Sequence, residues 1–168
     1  DGVDDILIGN SSIDSSATQS DERGAVWILF GASTLTGTLD LADADIRILG
    51  DQEDLAFGKS IAAAGDVNAD GFDDILVGSE GTDAEGGTAY LILGSDTLSG
   101  AATLSSSLYQ AALHGETENS HAGAEAHSLG GGGDFNGNGV PDIVVGDYNF
   151  QQTSGDTSIR GAIYVIFD

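Results

Sequence analysis

The sequence predicts an all-β fold of β-propeller blades with four antiparallel strands each, about two and a half of them in 168 residues. Three observations support this prediction. Short β-branched and apolar runs bounded by glycine recur along the chain, as is typical of strands and turns. These runs repeat at a long, regular spacing, which is typical of propellers and solenoids. Two loops rich in Asp and Asn each lead directly into one of the runs.

Residues 66–74 and 134–142 are two copies of the same polar loop. Oxygen-bearing side chains stand at loop positions 1, 3, 5 and 9, and glycine stands at position 6. Calcium suits such a loop because it binds six to eight oxygen ligands in flexible geometry. The apolar residue at position 7 would ligate through its main-chain carbonyl. We therefore predict calcium-binding hairpins with the ligands Asp66, Asn68, Asp70, Phe72 and Asp74, and Asp134, Asn136, Asn138, Val140 and Asp142.

The chain opens on the second half of a third copy. Its positions 5, 7 and 9 are Asp1, Val3 and Asp5, which we predict as further metal ligands. None of the copies is an EF-hand, because position 12 is apolar and a strand-like run follows instead of a helix. A single loop of this kind would be better explained as an ordinary Asx turn. Recurrence in register favours calcium, and it also indicates that Gly71 and Gly139 adopt a backbone angle that other residues resist.

The whole chain is organised by this repeat. Asp5, Asp74 and Asp142 are spaced by 69 and 68 residues, and an apolar run beginning with glycine recurs at 24–31, 87–94 and 161–167. We predict repeats at about residues 1–56, 57–124 and 125–168. Ten strands are expected, near 58–65 and 126–133 (first strands), 5–9, 74–78 and 142–146 (second), 25–30, 88–93 and 161–167 (third), and 45–49 and 110–114 (fourth). The small residues of the first strands suit a crowded propeller axis. Segments 31–45 and 94–109 receive no assignment.

These features together resemble the FG-GAP repeat of the integrin alpha-subunit propeller and its bacterial relatives. Phe57-Gly58 stands where that family has its Phe-Gly pair, and Gly78 stands at the glycine of Gly-Ala-Pro. The resemblance implies calcium at the Asp and Asn positions of both loops and a closed ring of about seven blades. With fewer blades, the chain is expected to be part of a longer propeller or to assemble with other copies. The third repeat departs from the pattern, because Ala122-Gly123 is followed by an apparent insertion at 124–127.

Composition limits the partners and the setting. The chain has 28 acidic and four basic residues and a formal net charge of −24. Nucleic acid is excluded, because binding to phosphate requires basic residues. No apolar stretch reaches membrane-spanning length, so direct membrane insertion is not expected. The chain has no cysteine, and calcium is the expected substitute for disulfides in an extracellular or cell-surface protein.

The sequence does not indicate an enzyme. His114, His121 and His127 have no zinc-binding spacing, and no Gly-x-Ser-x-Gly elbow is present. The predicted function is a calcium-stabilised extracellular adhesion module that binds a protein or a glycan through the loops opposite the calcium hairpins. Tyr148, Phe150 and Gln151 are the first candidates for contact residues, although these loops are equally well explained as spacers. The alternatives are an accessory propeller of a secreted hydrolase or lyase and a self-assembling surface or filament subunit.

Overall fold

The computed structural model describes residues 3–32, 37–81, 86–116, 120–150 and 161–167. These residues form eleven strands and one short 3-10 turn at Leu41–Asp43. The strands are β1 (Ile6–Asn10), β2 (Ala25–Leu29), β3 (Ile46–Leu49), β4 (Ser60–Gly65), β5 (Asp74–Ser79), β6 (Thr88–Ile92), β7 (Gly100–Thr103), β8 (Ala111–His114), β9 (Leu129–Gly133), β10 (Asp142–Asp147) and β11 (Ala162–Ile166). Across the described ranges, no helix is long and apolar enough to cross a membrane.

The strands form three sheets that correspond to successive propeller blades. Blade 1 has the order β1-β2-β3-β7, blade 2 has β4-β5-β6-β8, and blade 3 has β9-β10-β11. Three strand pairs occupy the same place in successive repeats: β1 with β2, β5 with β6, and β10 with β11. They pair antiparallel in the same register, as shown by Ile6 with Leu29, Ile75 with Ile92, and Ile143 with Ile166. The predicted all-β fold and the ten predicted strands are confirmed. The predicted and observed strand ends differ most at β9, which was expected to begin near residue 126 and begins at Leu129, after a turn.

Strand β7 was not predicted from the sequence. It lies within segment 94–109 of the second repeat, yet it pairs in parallel with β3 of blade 1. The N–H of Gly100 donates to the Asp45 carbonyl at 2.9 Å, and the N–H of Leu104 donates to the Leu49 carbonyl at 2.8 Å. The strand has no aromatic residue and only one β-branched residue, so its own β-propensity is low. Long-range pairing and the burial of Leu104 hold it in place.

Apolar faces of neighbouring blades pack against each other to form the core. Between blades 1 and 2 the buried cluster includes Val26, Ile28 and Ile92. The rings of Phe57 and Tyr90 meet edge to face there, with centroids 5.8 Å apart. Burial of such side chains contributes about 1.5–3 kcal/mol each. The structure is therefore held together chiefly between blades rather than within one blade.

A glycine at the start of the second and third repeats bonds to the second strand of its own blade, and its carbonyl oxygen lies against a glycine of the preceding blade. The N–H of Gly58 donates to the Gly78 carbonyl at 3.0 Å, and the N–H of Gly123 donates to the Gly146 carbonyl at 3.0 Å. Both glycines have positive φ, +87° and +69°. Gly123 thus takes the place of Gly58, and residues 124–127 form an extra turn before β9. The insertion in the third repeat therefore leaves the junction between blades intact.

Candidate functional site

The two polar loops occupy equivalent hairpins. Residues 66–73 connect β4 to β5, and residues 134–141 connect β9 to β10. The last residue of the first strand is paired with loop position 9 in both hairpins, Gly65 with Asp74 and Gly133 with Asp142. Each pair sits beside a break in the strand register. Position 9 is consequently fixed by the sheet, whereas positions 1–8 belong to the turn.

The carboxylate at position 1 organises both turns through the same two backbone donors. Asp66 Oδ1 accepts from the N–H of Asp70 at 2.9 Å, and its Oδ2 accepts from the N–H of Gly71 at 2.8 Å. In the second loop, Asp134 accepts from the N–H groups of Asn138 and Gly139 at 3.1 and 2.8 Å. These backbone bonds lower the pKa of Asp134 below its ordinary value, because they stabilise the ionised carboxylate.

Side-chain oxygens at positions 1 and 3 converge on the amide of position 5. Asn68 Oδ1 accepts from the N–H of Asp70 at 3.0 Å, and Asn136 Oδ1 accepts from the N–H of Asn138 at 2.9 Å. Asp70 then accepts from the N–H of Phe72 at 2.9 Å, and Asn138 accepts from Val140 N–H at 2.8 Å. The turn therefore gathers its oxygen atoms into a small volume.

The position-9 carboxylates are the buried members of the two loops. Asp74 and Asp142 are 0% and 1% exposed. Asp74 accepts from the N–H of Val67 at 2.9 Å and from the N–H of Gly94 at 2.8 Å. Burial raises the pKa of Asp74 above its ordinary value, and the nearby carboxylates of Asp70 and Asp66 raise it further. Ionisation of Asp74 is thus less favourable than that of an exposed aspartate, and a positive charge close by would favour it.

The backbone of both turns requires left-handed conformations at two positions. Gly71 and Gly139 at position 6 have φ of +95° and +91°, which confirms the predicted role of these glycines. Position 4 is also left-handed, with φ of +56° at Ala69 and +80° at Gly137. The sequence analysis did not find position 4, because alanine in the first copy gives no signal for this conformation.

The partial loop at the start of the chain keeps one part of this arrangement. Asp5 Oδ1 accepts from the N–H of Gly31 at 2.7 Å, as Asp74 Oδ1 accepts from the N–H of Gly94. Asp5 and Val3 are exposed, and Asp1 lies outside the described residues. Asp5 is therefore the structural counterpart of the position-9 carboxylates.

The donor chemistry of the loops suits a hard cation. The oxygens come from carboxylates, from the amides of Asn68, Asn136 and Asn138, and from main-chain carbonyls, which are the groups calcium prefers. In the part of the chain that the structure describes, no three acidic or histidine side chains are grouped as a metal site by themselves. Any calcium site here would therefore need the amide and carbonyl oxygens. The buried Asp74, with its raised pKa, favours such a cation.

At the opposite end of the blades, a buried carboxylate ties two connecting loops together. Asp21 is 5% exposed, accepts from the N–H of Ser15 at 2.7 Å, and forms an ion pair of 2.7 Å with Arg23. Its main-chain carbonyl accepts from the N–H of Asp54 at 2.8 Å. The hydrogen bonds from Ser15 and Arg23 lower the pKa of Asp21 to about 2. Loops 10–23 and 51–56 are thus held as one surface.

Asp21→Asn is expected to lower the melting temperature at pH 7. A carboxyl whose folded-state pKa lies near 2, below its ordinary 3.8, adds stability that is fully present above 3.8 and is lost as pH falls towards 2. The difference between variant and parent should therefore shrink over that pH range, followed by thermal circular dichroism. Glu22→Gln, which changes an exposed neighbouring acid, is the control. A pH-independent difference would contradict this role of Asp21.

Asp147 plays a similar part in blade 3. It is 1% exposed, accepts from the Ser120 hydroxyl, and accepts from the N–H of His121 at 3.0 Å.

The ring of His121 contacts the ring of Tyr148, with centroids 4.9 Å apart. Tyr148 is 53% exposed, whereas Phe150 is only partly exposed, and Gln151 lies outside the described residues. The sequence analysis missed both anchoring aspartates, since acidic residues are too numerous in this chain to single any out.

Comparison with known proteins agrees with the repeat and its hairpin. The family model for the FG-GAP repeat matches residues 57–92, which contain β4, the first complete loop, β5 and β6. Integrin alpha-5 of Xenopus laevis is 31% identical over 156 residues, covering 91% of this chain and 14% of that protein. Integrin alpha pat-2 of Caenorhabditis elegans is 38% identical over 103 residues, covering 60% of this chain and 8% of that protein.

Integrin alpha-2 of Bos taurus is 34% identical over 114 residues, covering 64% of this chain and 9% of that protein. The chain therefore spans only a small fraction of the length of each of these relatives. The family model covers three strands of one blade, its polar hairpin and Gly58 at the junction between blades. This chain belongs to the FG-GAP repeat family of integrin alpha type.

Proposed function

We propose that this chain is a calcium-stabilised extracellular adhesion module that binds a protein or glycan ligand on the loop face opposite its polar hairpins. One observation carries the proposal. Two hairpins place oxygen-bearing side chains at the same positions of the same hydrogen-bonded turn, each closed by a buried aspartate. Repetition of the turn and of its oxygen atoms in two blades supports an ion-binding role. The similarity to integrin alpha chains supports the adhesive role.

The proposed calcium ligands are those expected from the sequence. They are Asp66, Asn68, Asp70, Phe72 and Asp74 in the first loop, Asp134, Asn136, Asn138, Val140 and Asp142 in the second, and Asp1, Val3 and Asp5 in the partial loop. When bound, calcium would supply positive charge beside the buried position-9 carboxylate. The turn residues hold the other oxygens in place, and the sheet holds position 9. Calcium would thereby fix one end of each blade.

The proposed ligand surface lies at the other end of the blades. Asp21 and Asp147 anchor the connecting loops there, so exposed side chains are presented on a stiff support. Tyr148 is exposed and braced by His121, which suits an aromatic contact residue. The strongly acidic chain favours a protein or glycan partner over nucleic acid. Further blades of a longer propeller, or other copies, would complete the ring, and no catalytic role is proposed.

Bead adhesion tests this proposal directly. Beads coated with the chain are expected to adhere to a monolayer of cultured cells in 1 mM calcium and to be released by EDTA. Tyr148→Ser should reduce adhesion by about tenfold, the effect of losing a central aromatic contact. Phe135→Ser is the matched control, because Phe135 is also an exposed aromatic residue (64%) but lies in a polar hairpin.

The same assay separates the two halves of the proposal. If Tyr148→Ser and Phe135→Ser reduce bead adhesion equally while both variants are folded, the assignment of the ligand face is refuted. Adhesion that persists unchanged in EDTA would refute the calcium dependence. Adhesion lost in EDTA and reduced only by Tyr148→Ser would support both halves.

A further inference from the structure

The outer edges of the first two blades differ in one respect. In blade 1 the outer strand β3 is covered by β7, a parallel strand that comes from the following repeat. In blade 2 the corresponding outer strand is β8, and none of the described strands pairs with its outer edge. An uncovered edge leaves backbone N–H and C=O groups available for another strand. The edge of β8 is therefore a candidate interaction surface.

Strands β3 and β8 are equivalent by register. The pair Ile28 with Ile46 in blade 1 corresponds to the pair Leu91 with Ala111 in blade 2. The two carbonyls that accept from β7, those of Asp45 and Leu49, correspond in the same way to the carbonyls of Gln110 and His114. Burial reflects the missing cover, because the apolar residues Ile46 and Ile48 of β3 are buried, whereas Ala111–Leu113 are only partly buried and His114 is exposed.

We propose that the outer edge of β8 binds a parallel strand of the β7 type, supplied by the next repeat in order. The partner is a short extended segment of small residues followed by leucine, like residues 100–104. Its amides would donate to the carbonyls of Gln110 and His114. In blade 1 the same arrangement buries Leu104 between blades. The strand that the second repeat contributes to blade 1 therefore joins neighbouring repeats as well as covering an edge. This inference goes beyond adhesion and does not depend on calcium.

Chain length is compatible with this exchange of strands. β6 ends at Ile92, and β7 begins at Gly100, so a short connection is enough to reach the preceding blade. β11 ends at Ile166, which has the same register position in blade 3 as Ile92 has in blade 2. A segment continuing from β11 with the spacing of residues 93–100 would therefore arrive at β8 in the way that β7 arrives at β3.

An extended chain tests the proposal. A copy of residues 95–107 is added directly after Asp168, the position that corresponds to Gly94. Hydrogen exchange by NMR is then measured for the amides of Ala112 and His114, which the register directs to the outer edge. Their exchange should slow by about tenfold or more on extension. The amides of Arg47 and Leu49, which face β7, serve as internal references for a covered edge.

The matched control is the same extension with proline at the copy of Ala102, because proline cannot donate to the strand ladder. Protection of Ala112 and His114 with the first extension alone would support the proposal. Equal exchange rates with both extensions, while Arg47 and Leu49 stay protected, would overturn it. That outcome would leave the adhesion proposal untouched, since the bead assay uses the opposite loops and needs no added strand.

Discussion

Gly78→Ala is expected to unfold the protein at moderate temperature, with a loss of about 3 kcal/mol or more in the free energy of unfolding. A Cβ atom at Gly78 would overlap the Gly123 carbonyl oxygen and the Ser60 hydroxyl. Neither group can move freely, because the Ser60 hydroxyl donates to that same carbonyl and Gly123 holds the junction between blades 2 and 3. Thermal unfolding by circular dichroism measures the effect.

Gly146→Ala is the matched control for this prediction. Gly146 has the same position in blade 3 as Gly78 has in blade 2, but the nearest atom to its Cβ would be the Ser128 carbonyl oxygen at an ordinary 3.5 Å. We expect a change within about 0.5 kcal/mol. If both substitutions lower the free energy of unfolding equally, the close approach of blades 2 and 3 is not the cause of the loss at Gly78. Gly9, whose Cβ would overlap the Gly58 carbonyl oxygen, should behave like Gly78.

Asp74→Ala is expected to lower the free energy of unfolding by about 2–4 kcal/mol in 1 mM calcium. Truncation leaves the partly buried N–H groups of Val67 and Gly94 without their acceptor, and each costs about 1 kcal/mol, the lower end of the range for unsatisfied groups. Lost calcium adds about 0.4–1.4 kcal/mol, given the dissociation constants of about 0.1–1 mM found in extracellular modules. Denaturant unfolding in calcium and in EDTA separates the two contributions.

The loss caused by Asp74→Ala should be smaller in EDTA than in calcium. Without the ion, the parent protein keeps a buried carboxylate whose pKa is raised by burial and by Asp70 and Asp66, and the variant is relieved of it. Asp73→Ala, which removes an exposed neighbouring charge, should change stability by less than about 0.5 kcal/mol in either condition. An identical loss with and without calcium would argue against an ion at this loop.

Much of the fold could be predicted because the informative residues are local in sequence. The hairpin positions of Asp74 and Asp142, the left-handed glycines Gly71 and Gly139, and the ten strands all follow from residues within one turn or one strand. A glycine at a fixed place before a short apolar run constrains the backbone wherever it occurs. The same locality explains why the second and third strands of every repeat lie where the sequence predicted them.

Other features were decided only by tertiary structure. β7 forms because β3 offers an edge and Leu104 finds a buried site between blades, so its weak strand propensity is overridden. Gly78 looks like an ordinary strand glycine until the Gly123 carbonyl of the next repeat is placed against it. The sequence by itself determined the repeat, the polar turns and the strands within each blade. How blades join and share strands depends on contacts between residues far apart in the chain, which no local pattern encodes.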